Sequence, residues 1–284
     1  MKSLVVAVSG GVDSVVLLHK LSQDPAVKLI VAHFDHGIRP ESDTDARFVE
    51  GLAKQYDLSF EGAREELGKN AGEALARARR YEFLRSVAKK YDAHVATAHH
   101  MDDVIETIAI NCQRGTGWRG LAVLDSGIVR PLLNLTKQNI RDYALEYHLE
   151  WVEDETNAGD RYLRNRIRTN INMKLASSSK TQILTLWKTQ RELKKVIDVE
   201  TQNIIGSFKE HSRYFLTHID ETSALELLRA MLEQNNASLT RPQRHRLLHA
   251  IKVAQPGSRL EAGEGVTVRF NSRTFIVETL PSVV

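Results

Sequence analysis

Leu4-Val5-Val6-Ala7-Val8-Ser9-Gly10-Gly11-Val12-Asp13-Ser14 is the stretch that decides the fold. Its first five residues are apolar and mostly β-branched, too short a run for a signal-peptide core but the right length for a buried first strand. The glycine pair breaks that run, and a helix from Val15 to Leu21 follows. In a strand–turn–helix unit the first-turn N–H groups of the helix have no intrahelical acceptor and point above the sheet edge. Adjacent glycines let an anion approach the backbone, the helix dipole favours negative charge there, and Ser9 and Ser14 add hydroxyl donors. The segment is not a Walker A loop, because it lacks the lysine and the spacing. Taken without its surroundings, it would also serve as a tight connection capped by Asp13 or Ser14.

Working outward, short β-branched runs alternate with amphipathic segments, the pattern of an α/β domain with a mostly parallel sheet. Candidate strands are Leu4–Val8, Leu29–His33, Leu58–Glu61, His94–Thr97 and Ile128–Arg130. Phe48, Leu52 and Tyr56 fall at helical spacing, as do Leu84, Val87, Ala88 and Tyr91, and both sets read as core stripes. After Asn157 the pattern changes. Ser177-Ser178-Ser179 reads as a linker, Thr181–Ile205 as a long helix, and Glu221–Gln234 and Arg241–Ala254 as two more. Arg259–Glu261, Val266–Phe270 and Thr274–Val277 read as strands of a small appendage. The expected organisation is a catalytic domain over residues 1–176, then a helical linker and a small α+β C-terminal domain over 177–284.

The chain has 284 residues and one cysteine, Cys112, so no disulfide within the chain and no cysteine-built zinc or iron–sulfur site is expected. No apolar run approaches a membrane span, and the expected setting is cytoplasmic, without a membrane. Residues 1–159 carry 19 Lys+Arg against 24 Asp+Glu, while residues 160–284 carry 20 against 12. A basic half following an acidic one suits a polyanionic partner.

Four further clusters carry chemistry. Asp103 and Glu106 lie three apart in Ala98-His99-His100-Met101-Asp102-Asp103-Val104-Ile105-Glu106-Thr107, on one helix face. Two such carboxylates hold an ammonium ion and take its proton, although a helix cap at Asp102 or Asp103 explains part of the pattern equally well. Glu73, Arg77 and Arg80 share a helix face that suits phosphate, or a solvated Glu–Arg pair. Arg114-Gly115-Thr116-Gly117 ends a helix with an arginine suited to phosphate, its glycines being also ordinary helix stops. Arg161, Arg164, Arg166 and Arg168, interleaved with Tyr162, suit an RNA backbone, or a solvated charged face.

The Ser9–Ser14 hexapeptide resembles the pyrophosphate loop of the N-type ATP pyrophosphatase, or PP-loop, family. The segments just quoted, with His33-Phe34-Asp35-His36-Gly37-Ile38-Arg39 and Trp151 to Asn157, narrow the resemblance to the tRNA(Ile)-lysidine synthase branch over most of residues 1–170. The resemblance implies a Rossmann-like parallel-sheet domain that uses ATP and Mg2+ to adenylate C2 of the wobble cytidine in a tRNA(Ile) precursor with a CAU anticodon, then joins L-lysine there. It further implies ATP held by Ser9, Gly10, Gly11, Val12, Asp13, Ser14, His33 and His36, and Mg2+ by Asp13. Lysine would lie on Asp103 and Glu106, with Asp13, Asp103, Glu106 and Arg114 as catalytic residues. Arg77, Arg80, Arg161, Arg164, Arg166 and Arg168 would hold the RNA. The C-terminal domain within 177–284 would bind tRNA, the appended region is shorter than in some members, and a homodimeric state stays open. Two alternatives are a tRNA thiolase, disfavoured by the single cysteine, and a non-catalytic tRNA-binding homologue.

Overall fold

The protein is described by a computed structural model covering residues 2–37, 42–68, 72–124, 127–153, 166–169 and 174–279, the side chains of residues 42, 43 and 73 excepted. Two compact units divide it, Met1–Arg191 and Glu192–Val284. The sequence pattern placed a boundary at 176/177; the division of contacts falls later, inside a helix.

In the first unit, strands β1 (Lys2–Ala7), β2 (Val27–Asp35), β3 (Ser59–Arg64) and β4 (His94–Ala96) form a parallel sheet in the order β3-β2-β1-β4. The expected fifth strand is reduced to a parallel bridge between Ala96 and Val129. Helices α1 (Val12–Ser22), α2 (Ser42–Gln55), α3 (Glu73–Lys90), α4 (Met101–Gln113) and α5 (Lys137–Glu146) accompany it. Alternation along β1 explains why both faces are covered. Leu4, Val6 and Val8 pack with Val15, Leu18, Leu52 and Ile140 on one side, and Val5 packs with Ile30, Leu84 and Val87 on the other. A buried parallel sheet of this kind leaves the carboxyl ends of its strands as the place where helix N-termini and loops converge.

Helix α6 (Ser177–Ile205) begins with the three serines that read as a linker. Serine accepts hydrogen bonds from first-turn N–H groups and so belongs at helix starts as readily as in loops, which is why composition alone misplaced them. The first part of α6 packs Leu184 and Trp187 against Met101, Val104 and Ile105 of α4.

The second unit holds β5 (Glu210–Ser212), α7 (Arg213–Thr217), α8 (Glu221–Gln234), α9 (Arg241–Val253), β6 (Arg259–Gly263), β7 (Val266–Phe270) and β8 (Thr274–Thr279). Its sheet is antiparallel in the order β5-β8-β7-β6. Leu228, Leu247, Ile251, Val268, Phe270 and Phe275 form its core. Residues 192–284 carry 12 Lys+Arg against 11 Asp+Glu, whereas residues 160–191 carry 8 against 1. The basic surplus therefore belongs to the end of the first unit and not to the appended one. No described helix is long and apolar enough to cross a membrane.

Candidate active site at the carboxyl edge of the parallel sheet

The turn after β1 is held by its own hydroxyls. Ser14 Oγ accepts from the Ser9 N–H at 3.1 Å and donates to the Gly11 carbonyl at 2.8 Å, and Ser9 Oγ lies 3.3 Å from Ser14 Oγ. Ser14 is buried and its proton is used inside the loop, so it shapes the turn; Ser9 remains exposed. Gly10 takes φ +91°, and the N-cap Gly11 has no side-chain cap; the Ser14 N–H turns back to the Gly11 carbonyl at 3.0 Å, and among the described residues the N–H groups of Val12 and Asp13 are left for a ligand. His33 donates from Nδ1 to the Val8 carbonyl at 2.9 Å, beside the turn. His36 has its Nδ1 buried without a hydrogen-bond partner among the described residues, and burial lowers its pKa.

Asp13, in the first turn of α1, meets Lys137 across 124 residues: Nζ lies 2.6 Å from Oδ1. Lys137 is the first residue of α5, where the helix dipole disfavours a cation, so its charge needs an anionic neighbour. That position at a helix start is a signal for Lys137 that the sequence itself carries. The Lys137 backbone N–H donates to Asp102 Oδ2 at 2.6 Å, and Lys180 Nζ lies 2.7 Å from Asp102 Oδ1. Asp102 is thus a buried tie between the starts of α4, α5 and α6.

The buried ring of His100 joins the two halves of the site. Its Nε2 is 3.9 Å from Asp13 Oδ2 and 3.5 Å from Asp103 Oδ2. Asp103 also accepts the His100 N–H at 2.9 Å, so it is a helix-capping carboxylate and a member of the cluster together. Glu106 is wholly buried, and Arg168 lies on it with Nε 2.7 Å from Oε1 and Nη2 3.2 Å from Oε2. That hydrogen bond, aided by the charges of Glu106, Asp103 and Asp13, raises the Arg168 pKa. His99 donates to or accepts from Thr97 Oγ1 at 2.8 Å. Burial, with Arg130, Arg77 and Arg80 nearby and Asp103 opposing, lowers its pKa to about 4.

The turn at Ser9–Ser14 and the pair Asp103/Glu106 therefore share one cluster, at the carboxyl ends of the adjacent strands β1 and β4. Arg77 and Arg80 approach it through His99, and Arg80 also through His36. Arg168, expected on RNA, stands instead on Glu106. Arg166 is exposed, and Arg161 and Arg164 lie outside the described residues. Arg114 is not brought to the group: it is the exposed C-cap of α4, roughly 16 Å along the axis from Asp103 at about 1.5 Å per residue. The Gly115 N–H bonds the Cys112 carbonyl at 3.0 Å and the Thr116 N–H that of Asn111 at 3.1 Å, a Schellman stop with Gly115 at φ +68°.

Among the described residues no group of three or more His, Cys, Asp or Glu is placed to hold a metal ion. Asp13 offers one carboxylate, and Mg2+ carried in on phosphates requires no more than one or two.

A parallel sheet whose first strand runs through a glycine turn into a helix, with an acidic pair at the neighbouring strand, defines a nucleotide-handling α/β class. The chain belongs to the PP-loop domain family, whose model matches residues 1–175. Its curated relatives include the tRNA(Ile)-lysidine synthase of Proteus mirabilis, 30% identical over 98% of this chain and 68% of that protein. Those of Actinobacillus pleuropneumoniae serotype 3 and Exiguobacterium sibiricum are 36% and 42% identical over 60% and 58% of this chain. The matches span about two fifths of these last two relatives' own length, 42% and 41%. Among solved structures, the U34-tRNA thiolase NcsA of Methanococcus maripaludis, described with its 4Fe-4S cluster, is 19% identical with a TM-score of 0.53 over 67% of this chain and 72% of its own. That likeness concerns the fold.

Proposed function

We propose that the chain is a cytoplasmic, ATP-dependent RNA-modifying ligase that makes lysidine at the wobble cytidine of a tRNA(Ile) precursor. The observation that carries the reading is the proximity of Asp13 and Asp103 around the His100 ring, 3.9 Å and 3.5 Å from its Nε2, which sets the phosphate turn beside the acidic pair. In this reading the α1 N–H groups and the Lys137 ammonium neutralise the pyrophosphate as it leaves ATP, and Asp13 would hold Mg2+, which would offset further charge. The C2 oxygen of the base takes AMP. Lysine's ε-amine, deprotonated at Asp103 and Glu106, then bonds to C2 while AMP departs with that oxygen.

For lysine to reach Glu106, the Arg168 guanidinium has to leave it, since the two cations need the same carboxylate. In this reading Arg77 and Arg80, whose charges act on His99, bind RNA phosphate, and Arg114 takes no part in the chemistry. A tRNA thiolase with a cysteine-bound cluster is disfavoured because Cys112 is the single cysteine of the sequence. The deciding experiment incubates the protein with ATP, labelled lysine and the tRNA precursor and weighs the anticodon fragment. A mass gain of one lysine less one water supports the reading, and an unlabelled fragment despite AMP formation rejects it.

A further inference from the structure

The second unit carries a groove of about 580 Å³ that the proposed chemistry does not use. Arg213, Tyr214, Thr217, His218, Lys252 and Arg273 are among its walls, and no acidic residue lines it. That is unexpected for a unit whose cations and anions nearly balance.

Its floor is charged by construction. Arg213 gives its guanidinium to three carbonyls, Ile251 at 2.7 Å, Asn271 at 2.9 Å and Ala254 at 2.6 Å. Carbonyl dipoles hold the group in place but cancel none of its net charge. Among the described residues no carboxylate pairs with Arg213, Lys252 or Arg273, and the last two are exposed at the rim. Above this floor stands an aromatic platform. The Tyr214 ring stacks on His218 with centroids 3.8 Å apart and planes 22° from parallel, while His218 Nδ1 donates to the Tyr214 carbonyl at 2.8 Å. Tyr214 is nonetheless 69% exposed. A fixed, solvent-facing ring next to unpaired cations matches the two halves of a nucleotide, since every base offers a face for stacking and every phosphate a charge.

We propose that this groove binds a nucleotide unit of single-stranded RNA, its base stacked on Tyr214 and its phosphate held by Lys252 and Arg273 over the charge of Arg213. The choice of RNA rests on the proposed function; the geometry does not.

The test uses the full chain and a tetraribonucleotide containing 4-thiouridine, cross-linked by light and mapped by peptide mass. Expected are cross-links in the peptide carrying Tyr214 to His218, reduced about tenfold or more in Tyr214→Ala and retained in Tyr214→Phe. In the double variant Lys252→Glu/Arg273→Glu they disappear. Suppression by millimolar AMP assigns the groove to free nucleotides, and persistence assigns it to RNA; either keeps a nucleotide site. Cross-links that avoid this peptide, or that ignore all three variants, overturn it. ATP turnover at saturating tRNA is read in parallel. Intact turnover without groove cross-links removes the groove alone, and groove cross-links without any turnover remove the proposed function alone.

Discussion

Arg168 and Glu106 form a two-pronged ion pair in which the carboxylate is wholly buried while the guanidinium side chain is 44% exposed. Removing the cation takes one partner away from a buried charge, whereas replacing the carboxylate with its neutral amide leaves the arginine in reach of water. Arg168→Ala is therefore expected to cost about 1–3 kcal/mol in urea unfolding, less than a fully enclosed pair because solvent screens one side. Glu106→Gln costs less. A double-mutant cycle for the pair should give a coupling of about 0.5–3 kcal/mol, and purely additive losses would show that the contact carries no energy.

The same pair sets an expectation for turnover. Because Arg168 occupies the carboxylate assigned to lysine, Arg168→Ala should lower the apparent KM for lysine, while Glu106→Gln raises it. Lysine titration of lysidine formation measures both. Unchanged lysine dependence in Glu106→Gln means that the amine binds elsewhere.

Asp13 and Lys137 are expected to govern the first half of the reaction. Asp13→Ala should abolish pyrophosphate release and leave tRNA binding almost unaltered. Lys137→Met, which keeps length but not charge, should slow release by about 10²–10³-fold, the scale for losing one donor to a developing negative charge. Normal release in Lys137→Met assigns the lysine to holding Asp13 in place and nothing more.

His99 ties stability to pH. Its folded pKa lies near 4 against 6.5 for the free side chain, mainly because burial opposes the charged ring. Between those values the unfolded chain binds a proton that the folded chain does not, so stability falls as pH drops from about 6.5 towards about 4. His99→Gln removes the titration and keeps a partner for Thr97. Denaturation at several pH values should show the unchanged protein losing about 1–3 kcal/mol more than the variant across that window. Parallel curves reject the assignment.

How much of this was legible beforehand follows from the range of the interactions involved. Strands β1 to β4 and helix α8 were readable because each is signalled by its own residues: apolar runs, or a stripe ending in turn chemistry. Asp13, Asp103 and Glu106 stood out by resemblance, and the first two are joined by His100. Strand β5 was missed because Glu210-His211-Ser212 has no β-branched residue, and its pairing with β8 is decided more than sixty residues away. Lys180 was missed for a similar reason, since its partner lies 78 residues distant, whereas Lys137 carried a local signal in its place at the start of α5. The contact of Arg168 with Glu106 was not legible in the arginine run, because composition tells that a cation needs an anion, not which one.

Gly11 offers the sharpest test of the phosphate turn, because the folded chain does not require glycine there. Its φ is −70°, open to any residue, and a Cβ would meet only Ser9 Oγ, at an ordinary 3.7 Å. Gly10 differs: at φ +91° an alanine is strained by about 1–3 kcal/mol whatever the space around it. Gly10→Ala should therefore lose both stability and ATP binding, which by itself distinguishes little. Gly11→Ala should melt within a degree or two of the unchanged protein, as surface-like substitutions do, yet lose most of its ATP affinity because the methyl group stands where a phosphate must approach the N–H groups. Melting and nucleotide titration of the two variants measure this directly. Full ATP affinity in Gly11→Ala would mean that the nucleotide is held by side chains alone, and the first turn of α1 would then be no more than the connection between a strand and a helix.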